Sequence, residues 1–226
     1  MGNMPMFGGS TTMAMPWMRV PGQSWPGVAA SFVGMWVVMM AGMMLPSLVP
    51  MLRRYRLAVD GTGQTAQGLL TAVVGAAYFA VWAVFGMAVF PLGVGISALH
   101  TQYPALIRAG PITVGFVILI AGFLQLTTWK ARHLAYCSRA QGPSLPASAR
   151  TAWRHGVRLG FHCIQCCVGL MAILLVSGVM NLGVMMLVAA AITVERIASG
   201  GERVARATGI AGVAVGLFLI VRTAGY

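Results

Sequence analysis

Residues 159–194 contain no Asp, Glu, Lys or Arg. As one straight helix this stretch would reach about 54 Å, far beyond a bilayer hydrocarbon core of about 30 Å. It must therefore turn back on itself. The Ser177, Gly178, Asn181 and Gly183 cluster supplies the residues for a hairpin between two spans. Residues 61–107 are also free of charge, but they open with a polar run from Gly61 to Gly68 and soften at Pro91, Gly93 and Gly95. That leaves room for one span, about 69 to 92. Val28 to Pro50, Pro111 to Trp129 and about 205 to 223 complete a set of six. The expectation is an all-α, polytopic bundle over 28–226, preceded by an exposed Met-rich tail over 1–27.

Composition agrees. Charged residues make up 8% of the chain and hydrophobic ones 58%, whereas about 25% of an ordinary soluble domain is charged. A chain of 226 residues cannot hide so much apolar surface in its own core. Its solvent is lipid. The tail lacks a basic start followed by an apolar run, so it does not read as a secretion signal.

The net charge of +12 would suggest nucleic acid in a soluble protein, but the loops explain it. The first, third and fifth loops hold twelve Lys and Arg, from Arg53 to Arg206, while Arg19, Arg108 and Arg222 alone lie on the other side. Cytoplasmic loops of bacterial inner-membrane proteins carry such an excess. The charge therefore predicts both termini outside, a bacterial inner-membrane location, and no nucleic-acid partner.

Sulfur is concentrated. Twelve of the 17 Met fall in the first 51 residues, six of them in the tail. Met4-Pro5-Met6 and Met13-Ala14-Met15 place two thioethers one residue apart, and thioethers select Cu(I). A low-complexity tail that merely tolerates Met would look the same. In the first span Met35, Met39 and Met43 recur every fourth residue, with Met40 and Met44 on an adjacent stripe. Such stripes also serve as flexible packing.

The strongest local signal is His162-Cys163-Ile164-Gln165-Cys166-Cys167. On a helix Cys163 lies over Cys166 and Cys167, His162 lies over Cys166, and Met171 extends the stripe. Thiols and an imidazole crowded into about one and a half turns suit Cu(I), with zinc as a second possibility. Close helix packing and a redox pair are the other readings. Span direction puts the cysteines in the cytoplasmic half, where thiols stay reduced, at the depth of Met39, Met40, Met43 and Met44. His133 and Cys137 lie in the third loop on the same side. Glu195 at the inner end of span five reads first as an interfacial ion pair. No hydrolase, phosphate-loop or dinucleotide motif is present, so catalysis is not expected.

Three blocks carry a family resemblance. They are Met35-Trp36 through Met39-Met40, Met43-Met44, Pro46-Ser47 and Pro50; Gln125, Lys130, Leu134, Cys137 and Arg139; and Gly156, Gly160, Cys163, Cys166-Cys167, Leu170-Met171, Gly178 to Asn181, Met185 and Glu195-Arg196. Together these resemble a bacterial family of uncharacterised proteins described as predicted metal-binding integral membrane proteins. The resemblance implies a metal and joins the span-one methionines to the cysteine block. The expected task is copper handling or delivery. The alternatives are a non-catalytic subunit or assembly factor of a membrane copper enzyme such as a monooxygenase, with spans two and six packing on a partner through Gly75, Ala76, Gly86, Gly212 and Gly216, and a membrane thiol redox protein.

Overall fold

A computed structural model describes residues 24–59, 63–103, 110–139, 148–178, 181–198 and 200–224. They form seven helices, with no strand among the described residues: α1 Trp25–Ala58, α2 Gln64–Gln102, α3 Gly110–Leu126, α4 Thr128–Arg139, α5 Ala149–Ser177, α6 Leu182–Ile197 and α7 Gly201–Ala224. The Met-rich tail lies outside the described residues.

Helix starts follow local capping chemistry. Ser24, Ser148 and Asn181 each accept a backbone N–H three residues on, from Gly27, Thr151 and Val184, satisfying donors that a first turn leaves unpaired. Gly178 ends α5 at φ 98°, a conformation that favours glycine. With Asn181 opening α6, the charge-free stretch folds back where its turn residues predicted.

Four helices, α1, α2, α5 and α7, are long and apolar enough to cross a membrane, and α3 with α4 forms a fifth candidate broken by a 65° bend. Two expectations need correcting. The second element does not stop near 92 but runs through Pro91 to Gln102. Proline removes one N–H and glycine weakens a helix by about 1 kcal/mol, and an otherwise apolar run carries both. The third element breaks at Thr127 rather than running on to Trp129. The Thr127 hydroxyl donates to Leu124 O at 2.7 Å, and its oxygen lies 3.4 Å from the Lys130 N–H. One side chain closes α3 and opens α4.

Small residues set the packing. A Cβ on Gly122 would stand 2.7 Å from Val213 N, and one on Gly216 would stand 2.8 Å from Leu119 N, so α3 and α7 touch backbone to backbone. Gly156 meets the backbone of Val74, and Gly160 lies against Tyr78 O and Val81, joining α5 to α2. Gly86 receives the Trp36 ring of α1, whose Nε1–H donates to Trp82 O at 3.1 Å. Gly86, Gly212 and Gly216 are thus occupied by the chain's own helices, while Gly75 remains open. By contrast, no Cα atoms of α1 and α5 come within 8 Å of each other among the described residues. Side chains close that gap, with Met44 reaching Cys163 and Tyr55 stacking on His155.

Candidate metal centre

One face of α1 is buried along its length: Phe32, Trp36, Met40, Met43, Met44, Ser47, Leu48, Met51 and Tyr55. The 3.6-residue repeat that aligns these positions leaves Met35 and Met39 half-buried at the flank. Pro46 and Pro50 lie inside the helix without ending it. Ser47 Oγ turns back to donate to Met44 O at 3.0 Å, which satisfies a carbonyl and fixes the hydroxyl.

Opposite, α5 buries Cys163, Cys166, Cys167, Leu170 and Met171. Cys163 Sγ is the centre of the arrangement. It lies 3.9 Å from Cys167 Sγ and 4.0 Å from Met44 Sδ. All three cysteines are free thiols. Two sulfurs that share one ion at about 2.3 Å each stand no more than about 4.6 Å apart, and both separations fall inside that limit. Cys163, Cys167 and Met44 therefore form a three-sulfur set drawn from two helices.

Hydrogen-bonding groups surround the same sulfur. Tyr78 Oη of α2 is 3.0 Å from Cys163 Sγ. Arg196, near the end of α6, donates from Nη1 to Cys163 Sγ and to Ser47 Oγ, both at 3.1 Å, and from Nη2 to Met51 Sδ at 3.5 Å. It is 7% exposed. Were Cys163 and Cys167 to hold a monovalent soft ion as thiolates, the centre would carry one negative charge, and the Arg196 guanidinium beside Cys163 would supply the matching positive one where an unmatched buried charge is costly.

Glu195 turns the other way, since adjacent helical residues point about 100° apart. Its expected interfacial pairing is replaced by a buried one. Glu195 Oε2 is 2.8 Å from Lys130 Nζ, and the two side chains are 1% and 3% exposed. Glu195 Oε1 accepts from Gln125 Nε2 at 2.9 Å and from Thr208 Oγ1 at 2.8 Å. Lys130 Nζ also donates to Cys166 O at 2.6 Å. The Lys130–Glu195 pair thus anchors the cysteine segment of α5 to the α3–α4 bend and to α7.

The remaining sequence candidates separate. Met40, Met43 and Met171 are buried in the same apolar cluster as the three sulfurs. His162 does not join them; its Nδ1 lies 3.1 Å from His133 Nδ1 of α4. Cys137 is on α4, with its side chain outside the described residues. Among the described residues no three or more His, Cys, Asp or Glu side chains gather as a metal site. Ser47, Met51, Tyr78 and Arg196 escaped the sequence reading as site residues. Met51 continues the buried ridge of α1 and Arg196 closes an apolar stretch, so both were visible as positions. Tyr78 carried no signal.

A family model described as a copper chaperone, PpoB2, matches residues 33–219. The chain belongs to this copper-chaperone family. The match runs from α1 into α7 and so covers every residue of the sulfur set and both polar clusters. It associates the chain with copper, in accord with the soft donors. Nothing among curated proteins or solved structures matches the chain.

Proposed function

We propose that this member of the PpoB2 family is an integral membrane protein that holds one Cu(I) between Met44, Cys163 and Cys167 and delivers it to a recipient protein. The observation that carries the proposal is the three-sulfur set itself, with the Arg196 guanidinium 3.1 Å from its central sulfur. Thiolate and thioether ligands favour Cu(I), whereas zinc takes four ligands from Cys, His and carboxylates. Met40, Met43 and Met171 line the surroundings, and the Met-rich tail captures copper outside. Element analysis of protein purified gently from native membranes tests this. At least about one copper per chain, held on sulfur, is expected; protein free of copper overturns it, and zinc in its place overturns the metal assignment. A copper enzyme co-purifying in fixed ratio would make the chain a subunit rather than a carrier.

The same proposal sets the chain in a bacterial inner membrane with six spans and both termini outside. The excess of basic residues in the first, third and fifth loops supports it even with the buried Lys130 and Arg196 set aside. In that arrangement α6, at 16 residues or about 24 Å, is a short span, and α3 with α4 is a bent one. Reporters fused at either terminus should be active only on the outer face; activity inside from one of them would mean an odd number of spans.

A further inference from the structure

His133 and His162 stand outside the sulfur set, yet they face each other through like atoms. Their Nδ1 nitrogens are 3.1 Å apart and their ring centroids 5.3 Å apart. His133 is on α4 and His162 on α5, so the pair bridges two helices, and both rings are half-buried rather than sealed. Trp129 packs edge-on against His133 with centroids 4.7 Å apart, which restricts how that ring can turn. The pair lies at the end of the molecule where Arg132, Arg154 and Arg158 leave the apolar stretches.

Two imidazole nitrogens that share a metal at about 2.0–2.1 Å each can stand up to about 4.2 Å apart. At 3.1 Å the pair is a closed form of such a site, and it opens by a rotation of the rings. Without metal, one Nδ1 carries a proton and donates it to the other. Metal binding needs that proton to move to Nε2 of the same ring, which leaves two neutral imidazoles with both Nδ1 lone pairs on the ion. No charge is lost or gained by the protein.

The register of α5 relates this pair to the sulfur set. At about 100° per residue, the order around the helix is His162, then Cys166 about 40° on, Cys163 at about 100° and Cys167 at about 140°. Cys166 lies between the imidazole pair and the sulfur set in angle and one turn along in height. It is buried, and its carbonyl is held by Lys130.

We infer that His133 and His162 form a second copper site at the Arg132, Arg154 and Arg158 end of the helices, the cytoplasmic end in the proposed topology, that this site receives Cu(I) from that end, and that Cys166 passes the ion to the sulfur set. This rests on the assignment of the sulfur set as a Cu(I) site. The sequence of ligands runs from two imidazoles, through one thiol, to two thiols and a thioether. Softness rises at each step, so the ion moves downhill in affinity. A nearby landing site also raises the local concentration of ion at the inner one.

The test uses full-length protein in detergent or nanodiscs, with Cu(I) delivered from a weak chelator and followed by thiolate-to-copper absorption and X-ray absorption. Wild type should take a first equivalent on sulfur and a second on nitrogen. In His133→Gln the second equivalent should be lost and filling of the first should slow by about tenfold or more. Cys166→Ser should slow filling while the nitrogen-bound equivalent persists. In Cys163→Ser/Cys167→Ser, one nitrogen-bound copper should remain, and adding His133→Gln should remove it. This last pair reads the histidine site even if the sulfur assignment fails. His133→Gln that binds a second equivalent and fills at the wild-type rate overturns the inference. His133→Gln that also strips the first equivalent overturns it too, because the histidines would then be ligands of the inner site.

Discussion

Glu195→Ala should destabilise the protein by about 3–5 kcal/mol, the cost of leaving one charge of a buried pair without its partner. Lys130 is 2% exposed and would keep only the Cys166 carbonyl as a hydrogen-bond acceptor. Lys130→Met should cost less, because Glu195 retains donors from Gln125 and Thr208. The double replacement Lys130→Met/Glu195→Leu should recover most of the loss, since two apolar side chains of similar volume desolvate without penalty. Chemical unfolding in detergent micelles measures all three. The expected order from least to most stable is Glu195→Ala, Lys130→Met, then the double variant. Equal losses in the single and double variants would show that the pair contributes nothing through its charges. The pair also fixes Cys166 O, so the double variant should fold while its cysteine segment moves more freely.

That pair also shows where sequence reasoning stopped. The charge-free stretches located the helices and the Gly178 to Asn181 turn, because lipid tolerates few alternatives to a helix. The bend at Thr127 was hidden, since it depends on one hydroxyl serving two helix ends, and α2 continued through a proline that would end a soluble helix. At the site, residue types were legible and directions were not. Lys130 and Arg196 were counted as loop charges that report orientation, and both are buried against the cysteine segment. Glu195 and Arg196 are neighbours in sequence but serve different clusters, which only a fixed helix azimuth reveals. The approach of Met44 to Cys163 was legible only as a shared depth. It depends on α2 lying between α1 and α5, held there by Gly86 beneath Trp36 and by Gly156 against Val74, so that long side chains rather than backbones close the remaining distance.

Cys163→Ser should abolish retention of the sulfur-bound copper while leaving the fold in place. Cys163 Sγ lies within 4.0 Å of both Cys167 Sγ and Met44 Sδ, so its loss removes the ligand that the other two share. A serine hydroxyl can still pair with Tyr78 and Arg196, and its volume is close to that of the thiol, so packing changes little. What disappears is softness: a hydroxyl is a poor Cu(I) ligand. Changing a group that merely supports a ligand costs about 10–100-fold in affinity, so removing the central ligand should cost at least about 100-fold on the same scale. Cys167→Ser should behave similarly. Met44→Leu keeps volume and both thiols, and should weaken binding by about tenfold, nearer the cost of a supporting group. Arg196→Leu should fall in the same 10–100-fold range, because it leaves the charge of a dithiolate copper centre uncompensated, and Arg196→Lys should restore part of it. Met186→Leu, on an exposed face, should change nothing. Competition against a Cu(I) chelator of known affinity, with unfolding measured in parallel, reads the series. Sulfur-bound copper retained by folded Cys163→Ser would remove the sulfur set from consideration, whereas loss of one copper–sulfur contact from the X-ray absorption of Met44→Leu would place the thioether in the coordination sphere and tie α1 to α5 through the metal itself.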